Sequence, residues 1–345
     1  MDEARDVVRR AIQAGVFPAA AVDVGGSAGS VWREGFQVAD DTPFDLASLT
    51  KVIATTTIVL RLVDEGRVRL DERIAAAFRE WHGADREIAT VQDLLEHASG
   101  LAARLVDPPP AGRREFEHEI CATALEYSPR TKSVYSDLGF ILLGFLAADQ
   151  GASLASQFDE MRTRFAAVEP EIAQQPLTFD LEWDTRRRAA PTEPMADDPR
   201  RGRVLRGEVH DTYAAALGGV AGHAGLFGTA ASVGAFARIV LRSARGDASI
   251  PPPLSPALLA RAVTKSRVPG SSRALGWDTM LPTSSCGTRM SASAFGHVGF
   301  TGTSIWIDPA RDRYFVLLTN RACGGGTIEA MRDVRRAFHE ALAET

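Results

Sequence analysis

The sequence predicts a mixed α/β fold in which strands come from both ends of the chain and helices from the middle. Near the N-terminus, PAAAVDV and SVWREGF have strand patterns, and GGSAG between them predicts a hairpin. Near the C-terminus, FGHVGF, TSIWIDP and YFVLLTN also have strand patterns, whereas residues 70–200 are mainly helical in periodicity. We therefore expect an α/β domain formed by residues 1–68 and 228–345, with a mainly helical domain, residues 69–227, inserted into it.

Apolar residues three and four positions apart predict the helices. The first predicted helix, over 3–14, is amphipathic, whereas residues 48–65 are apolar nearly all round, as in a buried central helix. Gly66 ends that helix, and Thr90 and Asp93 form a capping pair at the start of another. The other predicted helices are 90–97, 114–125, 138–148, 154–166, 231–243 and 327–343.

The segment 182–209 is rich in arginine and proline and carries charges of both signs. This composition predicts a solvated loop. A loop of this length in a compact enzyme is often functional, but an ordinary surface excursion explains it equally well.

The composition of the 345 residues narrows the class of protein. The hydrophobic content of 45% is enough for a large core, and the net charge of −5 argues against nucleic-acid binding, which usually needs a basic face. The longest apolar run, Val52–Leu60, is shorter than the ~18 residues that span a membrane. The first residues, MDEARDVVRR, lack the apolar segment of a secretory signal. The sequence as it stands predicts a cytoplasmic protein, or a periplasmic one if a signal has been removed.

The cysteine and histidine patterns indicate neither a disulfide framework nor a metal site. Cys121, Cys286 and Cys323 are far apart and odd in number, as expected for free thiols in a reducing compartment. The seven histidines form no HExxH motif and no close pairs with cysteine. We therefore expect no metal and no cofactor.

Lys51 is unusual because the chain almost always uses arginine as its basic residue: of the 39 lysines and arginines, only Lys51, Lys132 and Lys265 are lysine. Lys51 follows Ser48 by three residues at the start of the apolar helix, which places both side chains on one face. A serine is a good nucleophile only when a base removes its proton. Burial lowers the pKa of a lysine so that it can be this base, whereas arginine cannot lose its proton. Ser48 and Lys51 are therefore candidates for a nucleophile and its base, with a lysine that reaches solvent from the helix end as the alternative.

A second serine lies in GGSAG, residues 25–29, which matches the G-x-S-x-G motif of α/β-hydrolases. That motif requires a strand, a turn and then a helix, but the segment after it alternates like a strand. We therefore interpret Ser27 as a residue of the hairpin turn.

Several segments resemble the serine β-lactamases and penicillin-binding proteins, most closely the class C β-lactamase-related group and its penicillin-binding-protein-4B-like subgroup. FDLASLTK resembles the S-x-x-K region, YSDLGFILLG lies where the family has Y-x-N, and FGHVGFTGTSIWIDP matches the third motif in its H-x-G form. The resemblance covers residues 5–343 and includes TVQDLLEHASGL and GEVHDTYAAALGGVAGHAGLFG. It implies an antiparallel sheet flanked by helices plus an inserted helical domain, with the active site between the two domains.

The resemblance also implies catalytic roles for the matching residues. Ser48 would be acylated, Lys51 would be its base partner, and Tyr135 would relay protons between the serine and the leaving group. The backbone N–H groups of Ser48 and Phe300 would form an oxyanion hole, which stabilises the charge that develops on the carbonyl oxygen.

Further residues are implied to bind the substrate. His297 would line the site from an edge strand and bind a substrate carboxylate, and its ordinary pKa of about 6.5 leaves it partly charged at neutral pH. Gly299 would let the substrate approach the strand closely. His210 and His223, in the glycine-rich stretch, are candidates for the neighbourhood of the site, although packing explains that stretch equally well.

Asp137 departs from the family pattern, which usually has asparagine at this position. A carboxylate only accepts hydrogen bonds, whereas an amide also donates them. Its negative charge should raise the pKa of Lys51 and disfavour anionic substrates. A second reading, compatible with the first, is that Asp137 caps the helix predicted from residue 138.

Together these features predict a serine hydrolase that acts through an acyl-enzyme on esters or amides, D-amino-acid peptides among them. The expected partner is a small molecule or a short peptide. A true β-lactamase, a non-catalytic penicillin-binding sensor domain and an α/β-hydrolase that uses Ser27 are the alternatives. Because His297 and Asp137 offer little to an anionic amide, we expect measurable ester hydrolysis and weak β-lactam turnover.

Overall fold

The computed structural model describes residues 1–105 and 107–342. The strands are β1 Ala20–Gly26, β2 Gly29–Phe36, β3 Phe44–Asp45, β4 Leu177–Thr178, β5 Phe227–Gly228, β6 Asp278–Thr279, β7 Phe295–Val298, β8 Ser304–Asp308 and β9 Arg313–Thr319. A six-stranded antiparallel sheet has the order β2-β1-β9-β8-β7-β6, and a small sheet has the order β3-β5-β4. The predicted hairpin and the three predicted C-terminal strands are confirmed, and Ser27 lies in the hairpin turn.

The helices surround the large sheet and fill the middle of the sequence. They are α1 Asp2–Gln13, α2 Thr56–Asp64, α3 Ile74–Ala77, α4 Val91–Leu95, α5 Arg113–Ala122, α6 Asp137–Asp149, α7 Leu154–Val168, α8 Glu171–Gln174, α9 Trp183–Arg188, α10 Thr212–Ala216, α11 Ala230–Ala244, α12 Pro256–Ala262 and α13 Ile328–Leu342. The predicted helices are present with small shifts at their ends, and residue 343 lies outside the described residues. The sequence did not predict α3, α8, α9, α10 and α12, which are too short to show a helical period.

The inner strands β1, β8 and β9 are buried on both faces of the large sheet, whereas the edge strand β2 is largely exposed or half-buried. Successive residues of a strand point to opposite faces, and each face of the inner strands is covered. Val22 of β1 and Leu317 of β9 pack in a cluster with α1 and α13. Ala21 and Val316, their neighbours in sequence, pack in the main core with α11. The mixed α/β class with helices flanking an antiparallel sheet is therefore confirmed.

The first and last parts of the chain meet inside this sheet. β1 pairs with β9 in the register Ala20↔Thr319, so residues that are far apart in sequence share one set of backbone hydrogen bonds. The division into domains at residues 68/69 and 227/228 stays a prediction.

The predicted central helix begins with a π-helical segment, Lys51–Thr55, and continues as α2. Every residue from Lys51 to Leu60 is buried, as the apolar pattern predicts. The Thr55 hydroxyl donates to the Gly222 carbonyl at 2.6 Å and thereby ties this segment to the glycine-rich stretch. Short π-helical segments are frequent at functional sites.

The prediction of a solvated loop over 182–209 is confirmed for most of the segment, because more than half of its residues are exposed. The segment also contains α9, however, and Thr192, Asp198 and Leu205 within it are buried. Thr192 and Leu205 pair as an isolated bridge, and the Asn320 amide donates to the Pro191 carbonyl at 3.1 Å. A contact such as that with Asn320, 129 residues away, leaves no pattern in the local sequence.

No single helix in the described part of the chain is long and apolar enough to cross a membrane. Helices α6 and α7 reach the necessary length and composition only as a pair, and the pair is bent by 81°.

Candidate active site

Ser48, Lys51 and Tyr135 meet in the structure, although Tyr135 is 87 residues from Ser48 in sequence. The Lys51 Nζ lies 3.0 Å from the Ser48 Oγ, and the Tyr135 hydroxyl lies 2.7 Å from the same oxygen. Lys51 is fully buried, which excludes the alternative of a lysine that reaches solvent. The Ser48 hydroxyl therefore contacts two groups that can exchange a proton with it.

A tight turn after β3 places Ser48 at the start of the central helix. The Asp45 carboxylate accepts a hydrogen bond from the Ala47 N–H at 2.8 Å, and Ala47 has a φ of 47°, a value that residues other than glycine seldom adopt. The Thr301 hydroxyl donates to the Asp45 carbonyl at 2.8 Å, and the Thr303 hydroxyl donates to the next carbonyl at 3.0 Å. These contacts hold the nucleophile turn against the turn between β7 and β8.

The pKa of Lys51 is raised overall, so the expectation of a net lowered pKa is wrong. Burial does act in that direction, but the Asp137 carboxylate and Tyr135 together raise the pKa by more. The Lys51 Nζ donates to the Asp137 Oδ1 at 2.8 Å and to the His223 carbonyl at 3.1 Å. The upward effect of Asp137 that the sequence predicts is therefore present, and the raised pKa keeps the lysine protonated at neutral pH.

Asp137 does not cap α6, which corrects the second reading of this residue. The Ser136 side chain accepts from the Gly139 N–H at 3.4 Å and is the cap, whereas Asp137 is the first helical residue. Its two carboxylate oxygens contact two different cations. The Oδ1 accepts from the Lys51 Nζ, and the Oδ2 accepts from the Arg104 Nη1 at 3.2 Å. The negative charge that was expected to repel anionic substrates is thus compensated on both sides.

Arg104 extends this ion pair into a chain of charged groups. Its Nη1 also donates to the Asp211 Oδ2 at 2.9 Å, and the Asp211 Oδ1 lies 2.7 Å from the His223 Nε2. Burial raises the pKa of Asp211, but His223 and Arg104 lower it by more, and the net value is well below its usual range. Because the His223 carbonyl also accepts from Lys51, the chain of contacts returns to the lysine and fixes its position.

Three residues of this series of charged groups also have the spacing of metal ligands. Asp137, Asp211 and His223 offer ligand atoms that lie within 4.8 Å of one another. The guanidinium of Arg104, however, donates to both carboxylates and supplies the positive charge that they require.

The Tyr135 ring is surrounded by two histidines and an arginine. Its centre lies 4.7 Å from the ring of His97, 6.0 Å from the ring of His297 and 5.3 Å from the Arg273 Cζ. Burial raises the pKa of Tyr135, although Lys51 acts in the opposite direction. The phenol is therefore protonated at neutral pH and can donate to the Ser48 Oγ.

His297 lies at the site, but the expectation that it is partly charged is wrong. It is fully buried, and burial, followed by the charges of Arg273 and Lys51, lowers its pKa well below 6.5. Neither ring nitrogen has a hydrogen-bond partner among the described residues. A neutral imidazole can give one N–H or accept one hydrogen bond, but it brings no charge to a substrate carboxylate.

The turn Gly299–Thr303 follows β7 and presents the backbone of Phe300. Arg335 donates to the carbonyls of Gly299 and Thr303 at 2.7 and 2.9 Å, and Arg321 donates to the Phe300 carbonyl from its Nε at 2.9 Å. Two buried arginines thus fix the orientation of these peptide groups. The oxyanion role of the Phe300 N–H stays a prediction.

Gly299 has a packing reason for lacking a side chain. A Cβ at this position would lie 2.1 Å from the Thr303 Oγ1 and 2.7 Å from the Leu46 carbonyl oxygen. A larger residue would push apart the turns that carry Ser48 and Phe300. Close approach of a substrate to Gly299 stays a prediction beside this structural reason.

His210 and the segment 182–209 border the other side of the turn. The ring of His210 stacks on that of Phe300 with centres 5.4 Å apart, and its Nε2 lies 3.0 Å from the Glu193 carbonyl oxygen. The Phe300 side chain is 41% exposed. It offers an apolar surface next to the predicted oxyanion hole.

Four residues of the site were not identified from the sequence: His97, Arg104, Asp211 and Arg273. His97 lies in TVQDLLEHASGL and Asp211 in GEVHDTYAAAL, two segments that resemble the family. Arg104 and Arg273 have no such signal, because the chain contains arginines throughout and nothing local distinguishes these two.

The fold and the contacts around Ser48 define a serine hydrolase that acts through an acyl-enzyme. The sequence model of the Beta-lactamase family matches residues 4–338. The chain therefore belongs to the beta-lactamase family.

The similarity to individual relatives supports this assignment to the family. The chain is 30% identical to a putative D-alanyl-D-alanine carboxypeptidase of Escherichia coli K12, over 81% of this chain and 69% of the relative. It is 30% identical to an N-acetylmuramyl-L-alanine amidase of Bacillus subtilis 168, over 81% of this chain and 68% of the relative. A class C beta-lactamase from Rhodobacter sphaeroides has a TM-score of 0.74 at 18% identity, covering 99% of both chains, which supports the shared fold.

Proposed function

We propose that the protein hydrolyses esters and amides by forming an acyl-enzyme on Ser48. The observation that carries this proposal is the contact of one serine oxygen with the Lys51 Nζ at 3.0 Å and the Tyr135 hydroxyl at 2.7 Å. Acyl transfer needs both contacts, because the serine must lose a proton and the leaving group must gain one.

In the proposed reaction, the Ser48 Oγ attacks the substrate carbonyl carbon while Lys51 in its neutral form takes the serine proton. The carbonyl oxygen becomes negative and accepts hydrogen bonds from the backbone N–H groups of Ser48 and Phe300. Tyr135 passes a proton to the leaving alcohol or amine as its bond to the acyl carbon breaks. Lys51 returns its proton to Tyr135, so that both groups are again in their starting protonation states. Water then adds to the acyl-enzyme with Lys51 as its proton acceptor, and Tyr135 protonates the Ser48 oxygen as the acid leaves.

The charge on Lys51 sets the pH dependence of this reaction. The contact with Asp137 raises the pKa of Lys51, so most of the lysine is protonated at neutral pH and only the neutral fraction can accept the serine proton. As the pH rises, more of Lys51 is neutral, so kcat/KM increases with pH until Lys51 is fully deprotonated. Asp137 and Arg104 act in this scheme as positioning residues that tune the lysine.

The names of the relatives support an amide substrate, with D-alanyl-D-alanine peptides among the candidates. A β-lactam is the second candidate, favoured by the family to which the chain belongs. We expect its turnover to be weak, because Asp137 cannot donate to the substrate carbonyl as an asparagine does.

The proposal is tested by assaying p-nitrophenyl butyrate, an N-acyl-D-Ala-D-Ala peptide and a chromogenic cephalosporin side by side. Mass spectrometry after treatment with a fluorophosphonate should locate the label on Ser48. A label on Ser27 would contradict the assignment of the nucleophile. Stable acylation by the cephalosporin, without turnover of any substrate, would indicate a penicillin-binding sensor domain instead.

A further inference from the structure

Arg335 of α13 is a buried cation that contacts the turn with the predicted oxyanion N–H. It is 6% exposed, and its Nη2 donates to the carbonyls of Gly299 and Thr303 at 2.7 and 2.9 Å. Among the described residues no carboxylate pairs with it. Burial, followed by the charge of Arg321, lowers the pKa of Arg335 to about 9, so the guanidinium is still charged at neutral pH. A buried charge without an opposite partner is costly, and neutral donors are enough to anchor two carbonyls.

The Gly299 carbonyl belongs to the same peptide group as the Phe300 N–H. This peptide bond is trans, so its C=O and N–H point in opposite directions in one plane. The contact of Arg335 with the carbonyl therefore holds the Phe300 N–H toward the other side. A hydrogen bond to the carbonyl also polarises the peptide group and makes its N–H a stronger donor, and a bond from a guanidinium is charge-assisted.

This peptide group lies beside the residues that precede Ser48. A Cβ on Gly299 would be 2.7 Å from the Leu46 carbonyl oxygen and 3.2 Å from the Ala47 Cβ. The Gly299 N–H donates to the Thr303 carbonyl at 2.8 Å, and the Thr303 hydroxyl donates to the Leu46 carbonyl at 3.0 Å. The peptide group that Arg335 holds is thus packed against the turn that carries the nucleophile.

Arg321 makes the same kind of contact with the next peptide group. It is 7% exposed, and it donates to the Phe300 carbonyl from its Nε at 2.9 Å and to the Gly326 carbonyl from its Nη1 at 2.8 Å. The Phe300 carbonyl shares its peptide group with the Thr301 N–H, which has no place in the predicted oxyanion hole. Two buried arginines therefore hold neighbouring peptide groups, and Arg335 is the one that acts on the Phe300 N–H.

We infer that Arg335 is a positioning residue of the oxyanion hole, which orients and polarises the Gly299–Phe300 peptide group. Donors that are fixed before the reaction stabilise the developing oxyanion without reorganisation. This role requires the positive charge, whereas anchoring the turn does not. The inference rests on the proposed function, because it needs a substrate carbonyl that is attacked by Ser48.

The inference is tested with p-nitrophenyl butyrate and its thiono analogue, in which sulfur replaces the carbonyl oxygen. The two substrates share the acyl chain and the leaving group, but sulfur is a weak hydrogen-bond acceptor, so the thionoester gains less from an oxyanion hole. The quantity measured is the ratio of kcat/KM for the ester to kcat/KM for the thionoester. Displacement of Ser48 or Lys51 slows both substrates, whereas loss of oxyanion stabilisation slows mainly the ester and lowers the ratio.

We expect Arg335→Met to lower this ratio by about tenfold or more, which is part of the ~10²–10³-fold effect of a whole oxyanion donor. Arg335→Lys keeps the charge without the planar fork and should give an intermediate ratio; it also provides the comparison if Arg335→Met does not fold. Arg321→Met is the matched control, because it removes an arginine that is buried to the same degree at the same turn. It should keep the wild-type ratio even if it slows both substrates.

The possible outcomes separate this inference from the proposed function. A wild-type enzyme that hydrolyses neither substrate would contradict the proposed function. An active wild-type enzyme whose ratio is unchanged in the Arg335 variants would overturn the inference and leave Arg335 as an anchor of the turn. An equal fall of the ratio in Arg321→Met would also overturn it, because the effect would then not depend on the peptide group of the Phe300 N–H.

Discussion

Replacing Asp137 with asparagine should move the pH dependence of ester hydrolysis to lower pH. The Asp137 carboxylate lies 2.8 Å from the Lys51 Nζ and raises the pKa of the lysine. Removing the negative charge lowers that pKa, so a larger fraction of Lys51 is neutral at a given pH. The rising limb of kcat/KM for p-nitrophenyl butyrate therefore shifts toward acid, and the rate near pH 7 increases.

The size of the shift follows from the geometry. Opposite charges about 4 Å apart at an effective dielectric constant of about 20 attract each other by about 4 kcal/mol, which is about three pKa units at ~1.36 kcal/mol each. Arg104 already offsets part of the carboxylate charge from 3.2 Å. We therefore expect a shift of about one to three pH units, the range found for a close opposite charge.

Arg104→Met tests the same reasoning from the other side. Without the arginine, the charge of Asp137 acts on Lys51 uncompensated, so the rising limb should move toward alkaline pH. Asp149→Asn is the control, because Asp149 ends the helix that Asp137 begins and pairs with Arg113 at the surface. It removes the same charge far from Lys51 and should leave the profile in place.

The assay is kcat/KM between about pH 5 and 10, with the rate of the Ser48→Ala protein subtracted at each pH; the dependence reports groups of the free enzyme. An Asp137→Asn protein that is slower at every pH, with no shift of the limb, would refute the reasoning. Asp137 would then itself be the proton acceptor, reached through Lys51.

Three further substitutions test the nucleophile, its base and the packing behind them. Ser48→Ala should abolish p-nitrophenyl ester hydrolysis, and activity within about tenfold of wild type would rule out the acyl-enzyme on Ser48. Lys51→Arg should lose about as much activity as Lys51→Ala, roughly 10²–10⁴-fold, because arginine cannot act as a base; retention of most activity would mean that the lysine acts only by its charge. Gly222→Ala should lower the free energy of unfolding by about 1–3 kcal/mol in thermal or urea unfolding, since its Cβ would meet the Phe140 carbonyl oxygen at 1.9 Å. Gly139→Ala is its control: the added Cβ makes only ordinary contacts, the nearest at 3.5 Å, and a Gly→Ala change within a helix is neutral or stabilising.

Features that depend on neighbours in sequence could be predicted from the sequence. Ser48 and Lys51 are three residues apart, so the start of a helix brings them together in any fold that contains it. The apolar pattern of residues 48–65 predicted a buried helix, and Thr90 and Asp93 form the capping box that their spacing indicates. Alternation located the hairpin and the C-terminal strands. These are local rules, and the long-range contacts of the segment 182–209 lie outside them.

The tertiary structure alone decided the electrostatics of the site. The local sequence of Lys51 is apolar and predicts a lowered pKa, but Asp137, 86 residues away, makes a 2.8 Å contact with its Nζ, and the pKa is raised. The same holds for His297, which is neutral because it is buried beside Arg273 and Lys51. The charge of a side chain depends on the groups within a few ångströms of it and on its exposure to water, and both are set by how distant segments pack.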